Sequence, residues 1–141
     1  MEVVLDSEDR LKSYSFRKRS CGQGVGVDSL LMGVLEGMPA EELLALSPES
    51  FLDTWPAAEA IEEFLGLKHL IAVQSTLEVL LGRAAGGVGD ICSAAEVVCD
   101  GDDTFITAVI EVDLVTEKIK SCGGCKGCGT RRKPKKQVIF N

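Results

Sequence analysis

The sequence predicts an α+β protein, in which a small antiparallel β-sheet is packed by several helices and a C-terminal β-hairpin carries a cysteine cluster. Three observations predict this class. Short strand-like segments open the chain, apolar residues recur at helical spacing through its middle, and a run of β-branched residues follows a glycine-rich break. With 141 residues, 45% of them hydrophobic, the chain is long enough to bury a core.

The first predicted element is a β-hairpin. Residues 2–6 and 11–18 are its strands, and the polar residues 7–10 are its turn. In the second strand, Leu11, Tyr14 and Phe16 give a partial alternation of apolar and polar positions.

Helices are predicted next, after a glycine-rich turn that contains Cys21. Asp28 or Ser29 is the predicted N-cap of the first helix, and Gly37 its end. The helical spacing is that of five apolar residues: Leu30, Leu31, Val34, Leu35 and Met38. Pro39 suits the first turn of a second helix.

Three more helices are predicted before the glycine-rich break. Ser47-Pro48-Glu49 opens one, and a segment that begins at Thr54-Trp55-Pro56 runs to a stop at Gly66. The longest helix is predicted over residues 67–83, with His69, the single histidine, in its first turn. A lone histidine there is more often structural than a ligand.

The glycine-rich residues 82–89 are the clearest break in the sequence, and they set the predicted domain organisation. We divide the chain into a main domain, a glycine-rich linker, a cysteine-rich hairpin or metal-binding segment and a basic tail: residues 1–85, 86–90, 91–130 and 131–141.

Within the third segment, a strand is predicted over residues 104–113, because this run is rich in β-branched residues. Residues 114–117 are its predicted turn, and residues 118–120 begin the return strand. The cysteine cluster would then end this hairpin, as Cys21 ends the first.

The composition of the chain limits which cellular compartment and which partners we expect. Acidic residues interrupt the N-terminus, so we expect no signal peptide, and no apolar run is long enough to span a bilayer. We therefore expect a cytoplasmic protein with reduced cysteines. From Thr116 onward eight Lys/Arg face one Asp/Glu, whereas the preceding residues hold seven against 21. The basic tail is interpreted as a solvated segment, with contact to nucleic acid or an acidic partner as the alternative. The acidic main domain argues against nucleic acid as that partner, because it would repel phosphate.

Three cysteines at strict three-residue spacing, Cys122, Cys125 and Cys128, are the main functional signal. Separated by glycines and one lysine, they predict a soft-metal site, either iron–sulfur or zinc. A tetrahedral site needs a fourth ligand, for which Cys99 is the best-placed candidate across the predicted hairpin. Cys92 is the runner-up, with a buried, inert thiol as the other interpretation.

Two stretches resemble the NifU/IscU-type iron–sulfur cluster scaffold family. The first is the hairpin followed by Arg19-Ser20-Cys21-Gly22-Gln23-Gly24-Val25-Gly26, and the second is Leu35-Glu36-Gly37-Met38-Pro39-Ala40-Glu41-Glu42-Leu43. The resemblance implies the family's fold for the main domain and cluster ligation by Cys21, which matches the second of the family's three ligating cysteines. His69 stands at the third of those positions. The resemblance also implies a cysteine desulfurase and apo-protein acceptors as partners.

The cysteine-rich segment resembles the family's opening hairpin a second time, with Cys99 in place of the first ligating cysteine and Cys128 in place of the Gly-Cys-Gly one. A rival resemblance is to the ferredoxin-like module in the middle of longer NifU proteins. Both imply iron–sulfur chemistry.

The sequence therefore favours a non-enzymatic protein that binds an iron–sulfur cluster or iron for cluster assembly or delivery. Its predicted ligands are Cys99, Cys122, Cys125 and Cys128, with Cys21 as a transient or bridging thiolate. The alternatives are a zinc-stapled interaction module with a basic tail, and a redox or sulfur-transfer enzyme that uses Cys21 or the Cys122/Cys125 pair.

Overall fold

The computed structural model describes residues 1–18 and 26–121. In that part of the chain the fold is α+β, with one four-stranded antiparallel sheet and five helices. The sheet has the strand order β2-β1-β4-β3. The predicted fold class is confirmed at this level.

The strands are two hairpins: β1 (Glu2–Leu5) with β2 (Leu11–Ser15), and β3 (Cys92–Asp100) with β4 (Asp103–Ile110). The first hairpin and the strand after the glycine-rich break are confirmed predictions. β3 was not predicted as a strand. β4 pairs with β1 on one side and with β3 on the other, so the second hairpin extends the sheet begun by the first.

The turn between β1 and β2 is ordered by Asp6. Its carboxylate accepts the backbone N–H groups of Glu8 at 2.9 Å and Arg10 at 3.0 Å. These bonds, the one from Arg10 first, lower the pKa of Asp6 below its usual value, because they stabilise the charged form. A short polar residue in this place explains why the chain reverses here.

Four helices connect the two hairpins: α1 (Met32–Leu35), α2 (Ala40–Ala45), α3 (Pro48–Thr54) and α4 (Ala60–Leu80). The α3 start is as predicted, with the Ser47 hydroxyl accepting the Ser50 N–H at 3.1 Å and Pro48 in the first turn. α1 is shorter than predicted, and neither predicted residue caps it. The Ser29 hydroxyl instead donates to the backbone carbonyl of Tyr14 at 2.6 Å.

α4 corrects one prediction. The two helices expected on either side of Gly66 are a single 21-residue helix with Gly66 in its interior. The glycine is needed for packing and does not mark an end, because a Cβ at this position would run into the ring of Trp55. That ring is stacked on Phe51 with their centroids 5.4 Å apart.

The last described element, α5 (Val112–Ser121), corrects a second prediction. Residues 118–120 were expected to begin a return strand, but they lie in this helix. Val115 and Ile119, four residues apart, are buried on one helix face, so the periodicity is helical. The cysteine cluster that was predicted to end the hairpin lies outside the described residues.

The helices pack on one face of the sheet. Val3, Tyr14 and Ile106 are cross-strand neighbours on the covered face, and each is at most 3% exposed. The opposite face holds exposed side chains such as Phe105. No helix in the described part of the chain is long and apolar enough to cross a membrane.

Candidate functional site

Five cysteines were predicted as metal ligands, and the structure describes one of them. Cys21, Cys122, Cys125 and Cys128 lie outside the described residues. Cys99 is described, as is Cys92, the runner-up for the fourth ligand, and both are free thiols. For the other four cysteines, the structure describes the chain on both sides of Cys21 and before Cys122.

Cys99 lies near the end of β3, directly before the turn at Gly101. Its Cα is opposite Thr104 of β4, and the residue is exposed. An exposed thiol at a strand end is accessible to a metal ion or to another protein.

Cys92 is at the other end of β3 and is 2% exposed. Its thiol contacts the carbonyl oxygen of Ala94 at 3.5 Å, and burial raises its pKa above the usual value for cysteine. A thiol held in its neutral form is a poor metal ligand and a poor nucleophile. The structure thus places Cys92 in the buried setting that was one of its two interpretations.

The two thiols cannot serve one metal ion within a chain. Cys92 and Cys99 are seven residues apart in a single strand, which corresponds to about 23 Å. Ligands of one tetrahedral ion lie only about 2.3 Å from it.

The segment that contains the other three cysteines begins where α5 ends, at Ser121. α5 is fixed to the core by Val115 and Ile119, and its last turn holds Lys118 and Lys120. Cations at a helix C-terminus interact favourably with the helix dipole.

Two cavities of about 270 Å³ each flank Lys118. One lies between α5, α4 and the connection from α2 to α3, and is lined by apolar residues such as Leu46 and Ile71. The other is lined by Cys92, Ser75 and Glu78. α5 is therefore close to the Cys92 end of β3, and residues 118–120, the predicted start of the return strand toward the cysteine cluster, lie in a helix. Ligation by Cys99 stays a prediction.

Cys21 lies outside the described residues, but the residues on both sides of it, up to Lys18 and from Gly26, are described. Both flanks lie against α4. The Phe16 ring packs edge-on against His69 with centroids 5.2 Å apart, and a Cβ at Gly26 would lie 3.4 Å from Leu65.

His69, which the resemblance sets at a ligand position, is fully buried. The Tyr14 hydroxyl lies 2.9 Å from its Nδ1 and accepts the Leu31 N–H at 2.7 Å. When Tyr14 donates its proton to Nδ1, the imidazole is neutral with its own proton on Nε2. Burial raises the pKa of Tyr14 well above its usual value, which keeps the phenol neutral. In this geometry His69 is a structural residue that joins β2, α1 and α4.

Sequence reasoning missed Lys68. It is 1% exposed in the middle of α4, and its ammonium lies 4.6 Å from the centroid of the Phe64 ring. Burial and then Lys18 lower its pKa below the usual value for lysine, whereas Asp113 acts in the opposite direction. The signal in the sequence was a charged residue within an otherwise apolar stretch.

Within residues 1–18 and 26–121, no group of three or more His, Cys, Asp or Glu side chains is placed to hold a metal ion. Comparison with models of protein families, with curated proteins and with solved structures found no match to this chain. Inference about function therefore depends on the residues themselves.

Proposed function

We propose that this protein binds an iron–sulfur cluster or iron as cargo and acts in cluster assembly or delivery. The single observation that supports the proposal best is the spacing of Cys122, Cys125 and Cys128, which begins directly after a helix fixed to the core. Three thiols separated by two residues each suit tetrahedral sulfur coordination. The resemblance to the NifU/IscU-type scaffolds gives the iron–sulfur preference.

The described residues fit this role in two ways. Val115 and Ile119 fix α5 against α4, so the cysteine segment starts from a rigid element. Lys118 and Lys120 lie four and two residues before Cys122 in the sequence, and nearby cations favour the thiolate over the thiol. Thiolates are the form that binds the metal.

We propose Cys99 as the fourth ligand and Cys21 as a transient or bridging thiolate. Cys128 follows Ser121, the last residue of α5, by seven residues, and an extended chain of that length spans at most about 23–25 Å. This reach is close to the roughly 23 Å between the two ends of β3, so Cys99 lies near the limit of what the chain length permits. Cys92 is left out because its thiol is buried and neutral.

The test is metal and sulfide analysis of the full chain purified without oxygen, followed by reconstitution with iron and sulfide. We expect iron and acid-labile sulfide in comparable amounts, together with visible absorption from sulfur-to-iron charge transfer. One tightly bound zinc per chain without visible absorption would reject the iron–sulfur assignment. It would support the zinc-stapled interaction module instead.

Single variants identify the ligands. Cys122→Ser, Cys125→Ser and Cys128→Ser should each lose most of the bound iron, because a hydroxyl is a much weaker ligand for these metals than a thiolate. Cys92→Ala is the matched control and should retain the iron. Cys99→Ser distinguishes a three-thiol site from a four-thiol one: unchanged iron content in that variant would remove Cys99 from the site.

The partners follow from the same proposal. A cysteine desulfurase would supply sulfur, and apo-proteins in a reducing, cytoplasmic compartment would accept the cluster. Transfer from the loaded protein to an apo-ferredoxin, followed by circular dichroism, tests delivery. A cluster that is never released to the acceptor would contradict it.

A further inference from the structure

The outer strand of the sheet, β3, presents an open backbone edge. β3 is last in the strand order, and in the part of the chain that the structure describes its strand partner is β4 alone. Seven of its nine residues are exposed. Among residues 1–18 and 26–121, no backbone group pairs with the outward N–H and C=O groups of β3, which are the groups that bind an added strand.

Natural proteins usually protect such an edge with lysine, proline, a strong bulge or a covering loop. β3 contains neither lysine nor proline. Its one irregularity lies between Cys92 and Ala94, so the register from Ala94 to Asp100 is regular. Seven consecutive residues in regular register are enough to pair with a whole added strand.

Next to this edge, the face of the sheet that points away from the helices has a row of apolar side chains. Val98 is directly opposite Phe105, which is directly opposite Val4 on the next strand. Val98 is 52% exposed and Phe105 is 40% exposed. The row runs across three strands and ends at the open edge, where an added strand would continue it.

The acidic side chains on and beside β3 determine which kind of partner can bind at this edge. Glu96 is the one charged side chain between the two ends of β3, and acidic residues stand at both ends: Asp90, Asp100 and Asp102. Antiparallel self-pairing of a second copy meets like-charge repulsion in two central registers, because centring on Glu96 sets that carboxylate against itself and centring on Val98 sets Glu96 against Asp100. A basic partner meets no such repulsion.

We propose that β3 is a docking edge for an extended basic peptide segment of a partner protein, which adds to the sheet as a fifth strand. A lysine or arginine of that segment would lie opposite Glu96, and β-branched residues would contact Val97 and Val98. The backbone bonds supply most of the affinity, and the ion pair sets the register. A single added strand buries little area, so the complex is weak and transient. Peptide docking requires no metal, although the edge includes Cys99, the proposed fourth ligand of the cluster site.

The test uses a capped nine-residue peptide in which threonine and valine alternate around one central lysine, titrated into the full chain and followed by backbone amide NMR. We expect saturable shifts centred on Ala94–Asp100 and slower amide exchange there. A peptide with the same side chains, N-methylated on the residues whose N–H groups face β3, should not bind, because it cannot make the backbone bonds.

Two protein variants test whether the negative charge of Glu96 determines the affinity for the peptide. Glu96→Lys should weaken binding of the lysine peptide about fivefold and strengthen binding of a glutamate-centred peptide by a similar factor. Glu49→Lys makes the same charge change on the exposed part of α3 and should alter neither affinity.

Three outcomes would overturn the proposal. They are no shifts at millimolar peptide, equal binding of the N-methylated peptide, or shifts that map elsewhere on the protein. Shifts of β3 amides that depend on protein concentration alone would assign the edge to a second copy instead.

Discussion

The two hairpins of the sheet differ in how far the helices cover them. In the β1–β2 hairpin, Val3 and Tyr14 are paired across the strands and both are buried. In the β3–β4 hairpin, Ile106 and Val97 are likewise paired on the helix-facing side, yet Ile106 is 1% exposed and Val97 is 45% exposed. At the level of Val97 the covering ends between β4 and β3, whereas the Cys92 end of β3 is still buried.

Position in the sheet, more than side-chain type, therefore decides what a residue contributes to stability here. Valine and isoleucine have nearly the same β propensity and hydrophobicity. Only the one on the interior strand is removed from water, and burial of apolar area is what stabilises the fold. The edge strand retains its apolar residues without that benefit, which is why we assign it to binding.

The sharpest comparison is between Ile106→Ala and Val97→Ala. The first leaves a cavity in the core and should lower the free energy of unfolding by about 2–5 kcal/mol. The second removes two methyl groups that water already reaches and should cost less than about 1 kcal/mol. Urea denaturation of both variants measures the two values. Equal losses would mean that something covers β3 in solution.

The packing of α4 gives the next largest effect. Gly66→Ala should destabilise the protein by about 1–3 kcal/mol, because the added methyl group overlaps the Trp55 ring, which Phe51 holds in place. Gly33→Ala is the control, since a Cβ at Gly33 has no atom within 4 Å. It should stabilise the protein by up to about 1 kcal/mol through helix propensity. Thermal unfolding that ranks the two variants in the other order would contradict this account of Gly66.

The first hairpin was predictable because its signals are local. Asp6 and its neighbours form a polar turn between two short strands, and the turn geometry needs nothing from the rest of the chain. α4 was divided wrongly because glycine usually ends a helix, whereas here it makes room for a ring eleven residues earlier in the chain. Sequence spacing alone does not show such a contact.

The residues of α5 were predicted as the end of one strand, a turn and the start of a return strand for a related reason. Their sequence mixes β-branched and charged residues, and only the burial of Val115 and Ile119 shows the helical period. β3 was missed because its centre lacks a strong alternation. At the candidate site, the spacing of the cysteines could be seen in the sequence. The burial of Cys92 could not, because it depends on contacts with residues that are distant in the sequence.

Tyr14 tests the covered hairpin through its hydrogen bonds. Tyr14→Phe should cost about 1–3 kcal/mol at neutral pH, because the Leu31 N–H and His69 lose a buried partner. In the natural chain, the raised pKa keeps the folded phenol neutral while the unfolded phenol ionises near pH 10. The contribution of the neutral Tyr14 phenol to the free energy of unfolding is complete below about pH 10. It is lost as the pH rises from there toward the pKa of Tyr14 in the folded protein.

The alkaline part of the stability profile therefore isolates this residue. Between about pH 9 and pH 11, Tyr14→Phe should lose stability less steeply than the natural chain. Cys92 also has a raised pKa, but it is present in both proteins and cancels in the difference. Parallel profiles would show that Tyr14 reaches solvent and is not held neutral.

The smallest effect is expected on the open face, at Val98. Val98→Thr keeps the branched shape at a position that is 52% exposed, so the free energy of unfolding should change by no more than about 0.5 kcal/mol. If the residue serves binding, the same substitution should weaken the β-strand peptide measurably, because it takes apolar surface from the row with Phe105 and Val4. If the variant loses stability but binds the peptide unchanged, the assignment of Val98 to binding is wrong. Val98 would then belong to the core, and its side chain would contribute nothing to peptide recognition.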